Sequence, residues 1–144
     1  MSAVLQKLSA AVMAVLLLAA CSEPQAPPGR WEGFSVSPDW VIAVRLEMAK
    51  GNVMRASALS AALTGEDLPR KVALENEVRT AMRAQWLAVP KGQIEFKGNT
   101  VTRTNGFAPV FVYEPASRAM VFHFYAGGKL TEKVTLRPVD SFAR

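Results

Sequence analysis

Cysteine and histidine are almost missing from this chain: its 144 residues include one of each. A single Cys excludes an internal disulfide, and one Cys with one His falls short of the ligand set of a structural zinc site. A Gly-rich phosphate loop, paired histidines, an EF-hand loop and a G-x-S-x-G nucleophile turn are all absent. The only adjacent acidic pair, Glu66-Asp67, sits at an expected helix start, where the macrodipole explains it without a metal ion. Nor is there a clustered basic face of the kind nucleic acid demands, because the 17 Lys+Arg and 12 Asp+Glu that give +5 are interleaved. The expectation is a non-enzyme with no metal, no cofactor and no nucleic-acid partner.

The N-terminus does carry a signal. After Lys7, an unbroken apolar run of 11 residues extends from Ala10 to Ala20 and ends in small side chains, the grammar of an export signal. A transmembrane helix needs about 20 apolar residues, and this run stops at Cys21, followed by Ser22, Glu23 and the prolines at 24, 27 and 28. The residues at the stop, Leu18-Ala19-Ala20-Cys21, resemble the lipobox of bacterial lipoproteins, in which an aliphatic and two small residues precede a cysteine. That resemblance implies cleavage between Ala20 and Cys21, lipidation of Cys21, and a lipid-anchored place in the bacterial cell envelope facing the periplasm. Ser22, being other than Asp, resembles the pattern directed to the outer membrane. Two or more acyl chains, at roughly 0.8 kcal/mol per buried methylene, anchor a protein durably. The Pro-rich stretch of residues 21–29 reads as an extended tether.

Removing residues 1–20 leaves a single domain, 30–144, behind the tether, with all twelve aromatics retained and about 45 per cent of the mature chain hydrophobic. Its clearest strand is 40–48, where Trp40, Ile42, Val44, Leu46 and Met48 alternate with Val41, Ala43, Arg45 and Glu47. A three-residue loop, Lys50-Gly51-Asn52, would set Met48 opposite Met54 and Leu46 opposite Ala56 in a hairpin with 53–59. Turn signals at 97–100, 105–106, 114–117 and 126–128 separate further short strands near 93–96, 100–103, 109–113, 118–125 and 130–137, and 31–36 makes eight. The fold class expected is mainly β (α+β): an antiparallel meander forming a small barrel or strongly curved sheet. One internal helix at about 66–87 interrupts it, with Thr64 and Asp67 as candidate N-caps and Pro69 in the first turn. Leu74, Val78, Met82 and Trp86 form its apolar stripe, which should face the sheet.

Candidate site residues follow from this frame. His123, the only histidine, is the only residue on which His-based acid–base chemistry could fall. A four-residue loop at 126–129 would set it opposite Glu132. A three-residue loop at 126–128 sets it opposite Thr131, with Met120, Phe122, Phe124, Leu130 and Val134 on the other face, and is favoured. His123 then lies on the polar face. In a barrel, Trp40, Phe96, Phe111, Phe122 and Phe124 would line the interior, as core aromatics first and as the lining of an apolar ligand cavity second. Gly29-Arg30-Trp31 is similar to the Gly-x-Trp start of lipocalin-like barrels, but three residues assign no family and the helix lies elsewhere than in that layout. The functional expectation is a lipid-anchored binding or structural module for an envelope protein or component. The alternatives are a carrier or sensor of a small apolar ligand in the barrel, or an inhibitor of an exported hydrolase acting through loops 104–108 and 114–117.

Overall fold

The computed structural model describes residues 25–104 and 110–143. Ala20, Cys21 and most of the 104–108 loop lie outside the described residues.

Eight antiparallel strands follow one another around a closed barrel. They are β1 (Gly29–Val36), β2 (Trp40–Ala49), β3 (Val53–Ala62), β4 (Gly92–Lys97), β5 (Thr100–Arg103), β6 (Val110–Glu114), β7 (Ala119–Ala126) and β8 (Lys129–Val139), with helix α1 (Lys71–Trp86) between β3 and β4. The β1–β8 seam closes the ring through Arg30↔Val139, Trp31↔Pro138 and Glu32↔Arg137. Gly33 makes that closure possible, because a Cβ there would meet the Thr135 carbonyl at 2.7 Å.

Alternation determines the two faces of the wall. The inward residues of β2 (Ile42, Val44, Leu46 and Met48) join Trp31, Met54, Phe111, Met120, Val134 and Leu136 in one buried cluster. The β2–β3 register is Met48↔Met54 and Leu46↔Ala56, as the Lys50-Gly51-Asn52 loop predicts. On the outside, Val41 and Ala43 are also buried, because Val78 and Met82 of α1 cover them in a second cluster. The β2 run Val41–Leu46 is therefore buried on both faces, whereas a one-sided strand would show buried and exposed residues in turn.

Three details differ from expectation. The helix begins later, at Lys71, after a 3-10 turn at Leu68–Arg70, and its N-cap Arg70 makes no side-chain cap. Thr64 and Asp67 instead close their own turn: the Thr64 backbone N–H and hydroxyl both donate to Asp67 Oδ2, at 2.9 and 2.7 Å. The residue before a proline disfavours the helical conformation, which delays the regular helix past Pro69.

The β7–β8 turn is also tighter than expected. Gly127 and Gly128, both at positive φ, make a two-residue loop with Ala126 opposite Lys129. A bulge then sets Tyr125↔Leu130 but Phe124↔Glu132, so Phe122 meets Val134 and His123 meets Lys133. Leu130 is consequently outside the inner face and half-exposed beside Tyr125, rather than among the inward residues.

The third difference lies in the Pro-rich tract, whose last residues do not hang free. Ala26 is only 6% exposed and belongs to the interior cluster, lying across the end of the barrel where β1 begins.

Candidate functional site

The five aromatics expected to line a barrel cavity all point inward, and they occupy the space. Phe111 and Phe122 are buried with centroids 5.4 Å apart, Phe122 lies 6.5 Å from Phe124, and Trp40 meets Phe124 edge-on at 4.9 Å. Phe96 stands apart from these four, near Ala26 at the chain-entry end, where both line the same recess. Ile42, Leu46, Met54, Met120 and Leu136 fill the interior between them with essentially no exposure.

The histidine is on the outer wall, across from Val110 on one side and Lys133 on the other. Its pKa is pushed below the ordinary histidine value, first by partial loss of water and second by the Lys133 charge. The 114–117 loop is an internally bonded turn. The Arg118 N–H donates to the Pro115 carbonyl, and the Ser117 hydroxyl donates to a Glu114 carboxylate oxygen. Of the 104–108 loop only Thr104 is described, its N–H bonded to the Gln93 carbonyl.

An apolar recess with charged walls lies outside the barrel, between α1 and the C-terminal segment. It encloses about 470 Å³ and is lined by Arg45, Arg83, Trp86, Leu87, Phe142 and Ala143. Each wall has a local cause. Trp86 ends the apolar stripe of α1, and Phe142 meets it edge-on with centroids 4.8 Å apart. Arg45 projects outward from the middle of β2 and is 4% exposed. Its Nε donates to Glu32 at 2.7 Å, its Nη2 donates to the Ala143 carbonyl at 2.8 Å, and its guanidinium lies over Phe142 at 4.9 Å. The buried cation thus ties the C-terminal segment onto the barrel. Leu87, one residue past the helix, is 86% exposed.

A smaller recess continues from this one along α1, sharing Arg45, Arg83 and Ala143 and adding Phe34, Arg79 and Met82. Arg79 stacks on Phe34 at 3.6 Å. Arg83, one turn further along, makes no hydrogen bond or ion pair among the described residues. The combined cleft is an apolar floor of Trp86, Leu87 and Phe142 with a free guanidinium at its rim.

A second feature marks the seam between β3 and β4, which share only two residue pairs. There the wall is completed by side chains: Arg55 donates to the carbonyls of Trp86 and Val89 at 2.7 and 3.1 Å and stacks on Trp86. Ser57 Oγ on β3 and Arg103 Nε on β5, whose side chains line one recess here, are buried without a partner among the described residues.

Sequence reasoning missed the cleft. Arg45 read as an ordinary outward residue of an alternating strand, Trp86 as core, and Phe142 as part of a tail without assignment. The available signal was one arginine interrupting the outer face of β2 beside Val41 and Ala43. Compared with models of known protein families, with curated proteins and with solved structures, the chain matches none.

Proposed function

We propose that this protein is a lipid-anchored, non-catalytic binding module of the bacterial cell envelope, and that its partner docks in the outer cleft rather than inside the barrel. The anchor rests on the resemblance of Leu18-Ala19-Ala20-Cys21 to a lipobox. The observation that carries the binding reading is the cleft itself: an exposed Leu87 beside Trp86 and Phe142, with Arg83 unpaired at the rim. An apolar patch flanked by a free cation suits a protein segment that is apolar and acidic together. The interior offers less to a carrier of an apolar ligand, since the expected lining rings pack against one another.

The test is cross-linking of the lipidated protein in envelope preparations. Leu87→Glu and Arg83→Glu should each abolish a stoichiometric cross-link, whereas Val72→Glu, at an exposed apolar residue of α1, should leave it intact. An undiminished cross-link in both cleft variants would sink the cleft assignment. Cys21→Ser should release the protein from the membrane fraction, and normal processing with normal retention would sink the anchor.

A further inference from the structure

The meander sorts the loops into two groups. At the end where the chain enters lie the β2–β3, β4–β5 and β6–β7 loops and the end of β8; at the other lie the β1–β2, β3–α1 and β7–β8 loops. Each of the three entry-end loops carries one exposed cation, Lys50, Lys97 or Arg118, and none of these makes an ion pair among the described residues. Three exposed acids lie near them: Glu95, two residues before Lys97; Glu114, which already accepts from Ser117; and Asp140. Arg137, exposed and bonded to the Ser117 carbonyl, adds a further cation to this end. The far end carries Asp39, Glu66 and Asp67, offset by Arg70 and Lys71 where α1 begins and by Lys129 at the β7–β8 turn.

The docked N-terminal segment fixes which end is near the anchor. Residues 25–28 run across the barrel mouth between the Lys50 loop and Arg118, with which they share two recesses. With Ala26 buried, only five residue steps separate it from Cys21, a reach of about 17 Å at full extension. A freely hanging tether would let the barrel tumble; this one holds a basic end close to whatever holds Cys21.

We propose that the chain-entry end of the barrel is a membrane-contacting face, in which Lys50, Lys97 and Arg118 rest on anionic lipid headgroups while the opposite end points away. The proposal rests on the lipid-anchor reading above. A cation near an anionic leaflet contributes on the order of fivefold in surface affinity, so three together hold an anchored domain in one orientation.

Lysine acylation footprinting of the lipidated chain decides this. On vesicles of phosphatidylcholine mixed with phosphatidylglycerol, Lys50 and Lys97 should label several-fold more slowly than Lys129 and Lys133, and high salt or pure phosphatidylcholine should erase the difference. Equal labelling at the two ends, or equal protection on neutral vesicles, overturns the proposal. Mass analysis of Cys21 in the same sample tests the anchor separately. If Cys21 bears no lipid, that reading fails alone, and the footprint of the free chain added to the anionic vesicles still decides the surface contact by the same criterion. The Lys50→Glu/Lys97→Glu/Arg118→Glu variant should weaken binding of the unlipidated Cys21→Ser chain to anionic vesicles by on the order of a hundredfold, with unchanged circular dichroism; unchanged binding overturns the proposal.

Discussion

Arg45 does two jobs that separate experimentally. Its charge is neutralised by Glu32, which is partly exposed, and its planar group supports Phe142. Removing a buried cation with its hydrogen bonds frees the C-terminal segment and strands Glu32, so Arg45→Ala should cost about 2–4 kcal/mol in urea unfolding. Arg45→Met keeps the aliphatic packing and should recover about half of that loss; equal instability of the two variants would show that the charge alone matters. His123 gives a pH signature. Its folded pKa lies below the ordinary 6.5 because burial and Lys133 disfavour the cation. The unfolded chain therefore binds the proton more readily. The contribution to stability is complete above 6.5 and is lost as pH falls through the lowered folded value. His123→Gln should flatten that stretch of the stability profile and leave stability in mildly alkaline buffer nearly unchanged. Asp67 acts further down: the Thr64 backbone N–H first and the Thr64 hydroxyl second hold its carboxyl below 3.8, and that contribution disappears as pH falls through the lowered value.

Among the elements, the β1–β8 seam tolerates little added volume. Only three residue pairs join the strands, and Gly33 sits against the Thr135 carbonyl and the side chains of Val134 and Leu136. Gly33→Ala should cost about 1–3 kcal/mol, because backbone rather than a flexible side chain must move. A loss of only a few tenths, measured by urea unfolding, would mean that the seam breathes. Helix α1 depends on packing more than on capping, since Arg70 offers no cap while Val78, Met82 and Trp86 are buried. Met82→Ala should therefore cost about 2–4 kcal/mol. Local pattern made most of this legible. Period-two alternation and turn signals located all eight strands, and the i+4 stripe located the helix. The β7–β8 register was illegible for a stated reason: a bulge changes side-chain parity within a strand, and neither hydrophobic pattern nor loop length announces it. The cleft was illegible for another. Arg45 meets Ala143 across 98 positions of chain, and no local window reports such a contact.

On the scale of the whole molecule, the barrel depends on its two ends of chain. Ala26 covers one mouth, and residues 140–143 fold back along the outside to meet Arg45 and Trp86. The C-terminal segment thereby clamps three elements at once: β2 through Arg45, α1 through Trp86, and β8 through chain continuity. A chain ending at Val139 keeps every strand and every pair of the β1–β8 seam, so it should still fold. It loses the Phe142 edge contact, its cation–π partner and the hydrogen bond to Ala143, together about 2–4 kcal/mol. The same cut exposes Trp86, so its fluorescence, isolated by replacing Trp31 and Trp40 with Phe, should shift to the red and become accessible to an aqueous quencher. Because Arg45 is then left buried with Glu32 as its remaining partner, the truncated chain should recover stability with Arg45→Met, whereas the full chain loses stability with that same substitution. An opposite sign of the two effects in a double-mutant cycle would establish the clamp; additivity would reduce the C-terminal segment to a passive cover.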